Sequence, residues 1–157
     1  MDDAEIDKQI EQENSWNKQF AKFNEIHKET IQRCGQVIRL GAGVEENLNF
    51  FLTFAKQNIT RMTFDQKIKL FVKICESKKI DPKRIEEIRK ALDFVRETRN
   101  TAAHDKLYST YPDESVMKIL YQNKSGLKEI NEDTIKKLGK MSGVIALNLA
   151  YIRGQIA

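Results

Sequence analysis

The feature that most constrains the fold is the scarcity of helix-breaking residues. The 157-residue chain contains two prolines and seven glycines. Apolar residues recur instead at intervals of three and four positions, which is the spacing of one face of a helix. The sequence therefore predicts an all-α bundle of about four to six helices. Its length suits one hydrophobic core, so we expect residues 1–157 to form a single domain.

The first helical pattern runs over residues 4–56 and is interrupted by Gly35, Gly41 and Gly43. Because glycine lowers helix propensity and carries no side chain, these positions predict either a bend or a close approach of another helix. The beginning of this segment is very polar, so we expect residues 1–30 to form a helical extension and residues 31–155 to form the core. The predicted apolar stripe comprises Trp16, Phe20, Phe23, Ile26, Ile31, Cys34, Ile38, Val44, Leu48, Phe51, Leu52 and Ala55.

Local signals mark the starts of three further helices. Residues 63–66 (TFDQ) match a capping box, in which the Thr63 hydroxyl and the Gln66 side chain each satisfy a backbone N–H. Asp81 followed by proline is typical of a helix start, and the helix that begins there runs toward His104. The last helix is expected to begin near Asn131 or Glu132.

Two features break the helical pattern between the third and the last helix. Pro112 excludes a helix that continues past residues 108–111. In residues 116–130, apolar and polar positions alternate on one side of an Asn-Lys-Ser-Gly turn. This pattern predicts either a short β-hairpin or a short helix.

Net charge, cysteine content and the length of apolar runs bear on the kind of partner and on the cellular compartment. The net charge of +4 is compatible with a nucleic-acid partner and equally with an ordinary solvated surface. Two isolated cysteines fit a reducing cytoplasm, and no apolar run is long enough to span a membrane. The basic residues that either contact RNA phosphates or only maintain solubility are Lys67, Lys69, Lys73, Lys78, Lys79, Lys83 and Arg84.

The stretch RETRNTAAHDKLY, residues 96–108, combines an Arg-Asn pair with one of the chain's two histidines. On a helix, Asn100 and His104 share a face, whereas Arg99 and His104 diverge by about 140°. In a structural interpretation, the histidine stabilises a helix end and the arginine pairs with Asp93 or Glu97. In a functional interpretation, the same residues form a site for a phosphate.

The spacing of this motif and the order of the helices resemble the HEPN superfamily. The family signature is an arginine, a polar residue that is often asparagine, a short spacer and a histidine, and Arg99, Asn100 and His104 match it. The resemblance spans roughly residues 30–155. The similar segments are residues 43–56 (GVEENLNFFLTFAK), 62–74 (MTFDQKIKLFVKI), 85–105 (IEEIRKALDFVRETRNTAAHD) and 132–152 (EDTIKKLGKMSGVIALNLAYI).

The resemblance implies a helical bundle that forms a homodimer in which the motif helices of two subunits face each other. Many members are metal-independent ribonucleases of toxin–antitoxin, abortive-infection or CRISPR-associated systems, and others are inactive interaction modules. The implied catalytic residues are Arg99, Asn100 and His104, together with an acidic residue of the first core helix, Glu45 or Glu46. A solvated helix edge is the alternative interpretation of the two glutamates. No metal ion or other cofactor is expected, and an antitoxin is the regulatory partner that the family predicts.

The residue types suit RNA cleavage by attack of the 2′-OH on the neighbouring phosphate. Histidine transfers protons near neutral pH, and arginine offers forked donors to a phosphate that gathers charge. The first hypothesis is therefore a metal-independent endoribonuclease that acts as a toxin or antiviral effector. The second is a non-catalytic helical module that dimerises and binds a partner protein. The modest net charge and the lack of an aromatic-rich platform for RNA in the sequence favour it.

Overall fold

The computed structural model describes the backbone of residues 2–104, 107–113, 116–123 and 126–157, and their side chains except at 19–20, 23–24, 26–27, 30 and 104–129. Four helices form the bundle, which confirms the predicted helical architecture. A three-stranded sheet joins the third helix to the fourth. The elements in chain order are α1 (Asp3–Phe54), α2 (Phe64–Ser77), α3 (Pro82–His104), β1 (Leu107–Asp113), β2 (Val116–Asn123), β3 (Gly126–Glu129) and α4 (Glu132–Ile156).

Local capping defines where the helices begin. At α2, the Gln66 N–H donates to Thr63 Oγ1 at 3.2 Å and the Thr63 N–H donates to Gln66 Oε1 at 2.8 Å, so the predicted capping box is confirmed. Asn131 has the same role at α4, where its Oδ1 accepts from the Thr134 N–H at 3.0 Å. Each cap satisfies backbone donors that the first turn of a helix leaves without partners.

The core lies where α1, α2, α3 and α4 meet. A T-shaped contact between Phe51 and Phe71, with ring centroids 5.2 Å apart, joins α1 to α2. Other side chains buried there belong to all four helices and show the spacing of three and four that the sequence predicts. They include Val37, Val44, Leu48, Leu52, Ile68, Leu92, Val95, Leu138, Ile145 and Ile152.

The N-terminal part of α1 carries no core residue among its described side chains. Those of residues 2–32 are all exposed, and the first buried one is Cys34. Ile31 and Ile38 of the predicted stripe are exposed, at 57% and 37%, because α1 buries the helix face that contains Val37. The side chains of Phe20, Phe23 and Ile26, also in that stripe, lie outside the described residues.

The sheet is an antiparallel meander in the order β1, β2, β3, with β2 next to α1 and α3. The hairpin predicted near residues 116–130 is formed by β2 and β3. Strand β1 was not predicted, because a strand of this kind depends on its pairing with β2 and not on the pattern of its own residues. The β1–β2 register shifts between Thr110 and Asp113, the segment that contains Pro112. Proline cannot donate to a ladder, so an irregularity there is expected.

Candidate functional site

Three charged side chains from three helices meet at the edge of the core, and we refer to Glu45, Lys67 and Arg99 as the charge cluster. On α1, Val44 is buried, Glu45 is partly buried and Glu46 is exposed. Successive residues of a helix turn by about 100°, so the burial of Val44 places Glu45 at the margin of the core and turns Glu46 away from it. This geometry distinguishes the two glutamates that the sequence left as alternatives.

Each oxygen of the Glu45 carboxylate accepts a hydrogen bond from a different cation. Lys67 Nζ donates to Oε1 at 2.6 Å, and Arg99 Nη1 donates to Oε2. The exposed fractions of the side chains are 9% for Lys67, 18% for Glu45 and 29% for Arg99. Lysine is thus the most shielded member of the cluster, whereas the guanidinium reaches toward solvent.

Gly41 and Phe64 define the path of the Arg99 side chain. A Cβ atom built on Gly41 would lie 2.8 Å from Arg99 Cδ and 2.9 Å from its Cβ, so only glycine leaves room for this stem. The Arg99 Cζ atom lies 5.9 Å from the centroid of the Phe64 ring, at the start of α2. The close helix approach predicted from the glycines is therefore present at Gly41. At Gly35 and Gly43, no described atom outside the local backbone of α1 lies within 4 Å of such a Cβ.

The charge cluster keeps Glu45 ionised. Burial acts to raise the pKa of this carboxyl, but hydrogen bonds from Lys67 and Arg99 and their positive charges outweigh it, so the pKa lies below its ordinary value. At neutral pH Glu45 therefore accepts hydrogen bonds and does not carry a proton. Its role in this arrangement is to orient the arginine.

The other members of the predicted site lie in different settings. Asn100 is exposed on α3, one position after Arg99. His104 is the last residue of α3, and its side chain lies outside the described residues. Because α3 is helical as far as His104, its backbone places Asn100 and His104 on one face, with Arg99 turned away from them.

The structural interpretation in which Arg99 pairs with Asp93 or Glu97 is wrong. Asp93 contacts Arg89 at 2.7 Å and Arg96 at 3.5 Å, and Glu97 contacts Arg96 at 3.7 Å. Arg99 lies on a different side of α3 and pairs across the bundle with Glu45. Arg99 therefore pairs with a carboxylate 54 positions away in the sequence and not with one on its own helix.

Lys67 was expected among the basic residues of the surface, but its side chain is buried in the charge cluster. A signal was present, because Phe64, Ile68 and Phe71 occupy the same face of α2 as this lysine. A lysine on a buried face requires a carboxylate partner, since an unpaired ammonium is costly to remove from water. Lys69, two positions later, remains exposed and pairs with Asp65.

The arrangement presents a cation suited to an oxyanion. A guanidinium carries five N–H donors in a planar fork, and the bond to Glu45 engages Nη1. Two cations and one carboxylate leave the charge cluster with a surplus positive charge. Among the residues that the structure describes, no group of three or more His, Cys, Asp or Glu side chains is arranged to hold a metal ion.

Comparisons of the chain with models of protein families, with curated proteins and with solved structures give no match. Within the described part of the chain, no helix combines the length and the apolar character needed to cross a membrane.

Proposed function

We propose that the protein is a HEPN-type, metal-independent endoribonuclease. The observation that carries this proposal is the orientation of Arg99 by the ionised carboxylate of Glu45, on the helix that ends with His104. A pre-oriented guanidinium at the margin of the core stabilises negative charge more effectively than a mobile surface arginine. Lys67 supports this orientation, because it holds the second oxygen of the same carboxylate.

The proposed reaction begins when the 2′-OH attacks the adjacent phosphorus. A base removes the proton of the 2′-OH, the bond from phosphorus to the 5′-oxygen breaks, and an acid returns a proton to that oxygen. His104 performs one of these proton transfers, and Arg99 stabilises the charge on the phosphate oxygens. Asn100 contacts the histidine ring or the RNA. The products are a 2′,3′-cyclic phosphate and a 5′-OH fragment.

A second copy of the chain supplies the other proton-transfer group. Each motif contains one histidine, whereas the reaction requires both an acid and a base. A homodimer with the motif helices at its interface brings two copies of His104 to one RNA. Following the family resemblance, we place this activity in the cytoplasm, in a toxin or abortive-infection effector that an antitoxin restrains.

The proposal is tested by incubating the purified protein with mixed RNAs in EDTA. We expect Arg99→Ala and His104→Ala each to lower the cleavage rate by at least about 100-fold. Arg89→Ala is the matched control, because Arg89 is a partly buried arginine of the same helix that pairs locally with Glu86 and Asp93. Melting curves recorded for every variant separate loss of activity from loss of fold.

Analysis of the products tests the chemistry. Mass spectrometry is expected to show a 2′,3′-cyclic phosphate, and an RNA with 2′-deoxy groups at the cleavage site is expected to resist. Full activity of His104→Ala would contradict the proposed role of the histidine. A magnesium-dependent reaction that leaves a 5′-phosphate would contradict the mechanism as a whole.

A second candidate function, a non-catalytic module that dimerises and binds a partner, is favoured by the N-terminal part of α1. Its exposed side chains over residues 2–32 include Ile6, Ile10 and Trp16, the last of them 71% exposed. Most of the stability of a helix in a protein comes from packing of its apolar face, so a partner helix that covers these exposed apolar side chains would stabilise this segment. Two results together would favour this function. The protein would cleave no RNA, and the double variant Ile6→Glu with Ile10→Glu would convert its dimers to monomers.

A further inference from the structure

The turn between α2 and α3 forms a second polar site, at the opposite end of α3 from Arg99. A cavity of about 390 Å³ opens there between the turn and α4. Its walls include Lys78, Lys79 and Asp81 of the turn, Arg84 of α3, and Tyr151 and Gln155 of α4. We refer to Lys78, Lys79, Lys83 and Arg84 as the basic corner.

The basic corner concentrates positive charge without ion-pair partners. None of the ion pairs found among the described residues includes any of its four cations. Asp81, the carboxylate within the same segment, accepts the Lys83 backbone N–H through Oδ1 at 3.1 Å, which caps α3. The flanking Glu76 and Glu87 are exposed and balance part of this charge.

Backbone hydrogen bonds hold the turn in place. The Ile80 N–H donates to the Cys75 carbonyl and the Lys79 N–H to the Glu76 carbonyl, both at 3.0 Å. With Lys79 at a φ of 58°, these bonds form a Schellman-type helix end. The buried Ile80 anchors the turn to the core, so Lys78 and Lys79 project from a fixed backbone.

An aromatic ring lies within this array of cations. The Arg84 Cζ atom lies 4.1 Å from the centroid of the Tyr151 ring, and Gln155 Nε2 donates to the Tyr151 hydroxyl at 3.0 Å. Tyr151 nevertheless remains 51% exposed. A half-exposed ring among cations is typical of surfaces that bind single-stranded nucleic acid, where phosphates meet the charges and bases stack on the ring.

We propose that the basic corner binds the backbone of single-stranded RNA, with Tyr151 and Arg84 as the stacking platform. This choice of polyanion rests on the proposed ribonuclease function. Arg99 lies seventeen positions after Pro82 on α3, which corresponds to about 25 Å along the helix. The basic corner therefore engages nucleotides outside the cleavage site and increases affinity for longer substrates.

The test measures binding of a fluorescent 2′-O-methyl RNA, which cannot undergo cleavage, by anisotropy at several salt concentrations. The variant is Lys78→Gln with Lys79→Gln. The control of equal charge is Lys136→Gln with Lys140→Gln, two exposed lysines of α4. We expect the first pair to weaken binding by at least about tenfold and to reduce the salt dependence, and the control to change affinity less than about twofold. Tyr151→Leu is expected to weaken binding by about five- to tenfold.

Cleavage of unmodified RNA, assayed in parallel, separates the two proposals. If the protein binds RNA through the basic corner but does not cleave it, the proposed RNA-binding site stands and the proposed ribonuclease activity is contradicted. If the protein cleaves RNA and the double variant Lys78→Gln, Lys79→Gln binds RNA as tightly as the wild type, the RNA-binding proposal is overturned and the ribonuclease proposal stands. Equal losses in the variant and the control would also overturn it. Displacement of the RNA by polyglutamate at the same charge concentration would overturn the choice of RNA in favour of an acidic protein partner.

Discussion

Glu45 is stabilised as a carboxylate by two cations that approach it from different helices. Because its pKa lies below the ordinary value, the folded state binds a proton at this site less readily than the unfolded state. The carboxylate therefore contributes to stability at pH values above the ordinary pKa of 4.5, and this contribution is lost as the pH falls through the lower pKa of the folded protein. Acidification thus protonates Glu45 and removes the stabilising interactions of its carboxylate with Lys67 and Arg99.

The variant Glu45→Gln tests this linkage. At pH 7 we expect it to lower the free energy of unfolding by about 1–3 kcal/mol, because the amide keeps one acceptor oxygen and turns an NH2 donor toward the other cation. The difference from the wild type is expected to shrink as the pH falls below 4.5. Urea denaturation at neutral and acidic pH measures it. Glu46→Gln, at the exposed neighbouring position, serves as the control. Equal effects of the two variants on the free energy of unfolding would contradict the role of Glu45 as the carboxylate of the charge cluster.

Lys67 and Lys69 form a matched pair for a second prediction. The side chain of Lys67 is 9% exposed within the charge cluster, whereas that of Lys69 is 75% exposed and pairs with Asp65. We expect Lys67→Met to destabilise the protein by about 1–3 kcal/mol, because Glu45 loses one of its two partners. Lys69→Met is expected to change stability by less than about 0.5 kcal/mol. Thermal denaturation compares them, and an unchanged melting temperature for Lys67→Met would show that Glu45 does not need the lysine.

At the scale of the helices, one glycine determines how closely α1 and α3 approach. Gly41 lies under the Arg99 stem, whereas a Cβ at Gly43 would meet no described atom outside the local backbone of α1 within 4 Å. Both glycines lie in the interior of α1 and carry the same cost in helix propensity. Only the first has a contact that requires the absence of a side chain, so the two positions are expected to respond to alanine in opposite directions.

We expect Gly41→Ala to destabilise the protein by about 1–3 kcal/mol, because the added methyl group overlaps the Cβ and Cδ atoms of Arg99. Gly43→Ala is expected to stabilise it by about 0.5–1 kcal/mol through helix propensity alone. The free energy of unfolding in urea measures both effects. Combining Gly41→Ala with Arg99→Ala is expected to restore part of the loss, and strictly additive effects would exclude the contact.

At the scale of the whole molecule, the chain combines a bundle core with a long helical extension. The bundle buries side chains from Cys34 to Ile152, and α1 continues toward its N-terminus with only exposed ones among those described. The described side chains of this extension are exposed, and exposed side chains contribute little to the stability of the core. The extension and the core are therefore expected to respond separately to change.

Removal of residues 1–30 is expected to leave the melting temperature of the core nearly unchanged, because the described side chains of that segment make no core contact. The ellipticity at 222 nm is expected to fall in proportion to the helix removed. Sedimentation velocity of the full and shortened chains then shows whether the extension contributes to self-association. A large loss of core stability would contradict the expected independence of the extension and the core.

The helices, their caps and the position of the motif could be predicted from the sequence, because each depends on residues within one or two turns. The Thr63 cap and the start of α3 near Asp81 follow from such local chemistry. For residues 116–130 the local pattern left a hairpin and a short helix as alternatives, and β2 and β3 form the hairpin. Strand β1 could not be predicted, since its pairing with β2 depends on residues beyond the turn and not on its own pattern.

The charge cluster was decided by the tertiary structure. The sequence identified Arg99 and Glu45 as candidates, but it left Glu46 equally placed and assigned Lys67 to the surface. Arg99 and Glu45 are 54 positions apart, and the contact depends on how α1, α2 and α3 pack. The face that each helix buries selects among neighbouring side chains, and the absence of a side chain at Gly41 allows the arginine to pass. Local periodicity determines the helices, whereas their packing determines which charges meet.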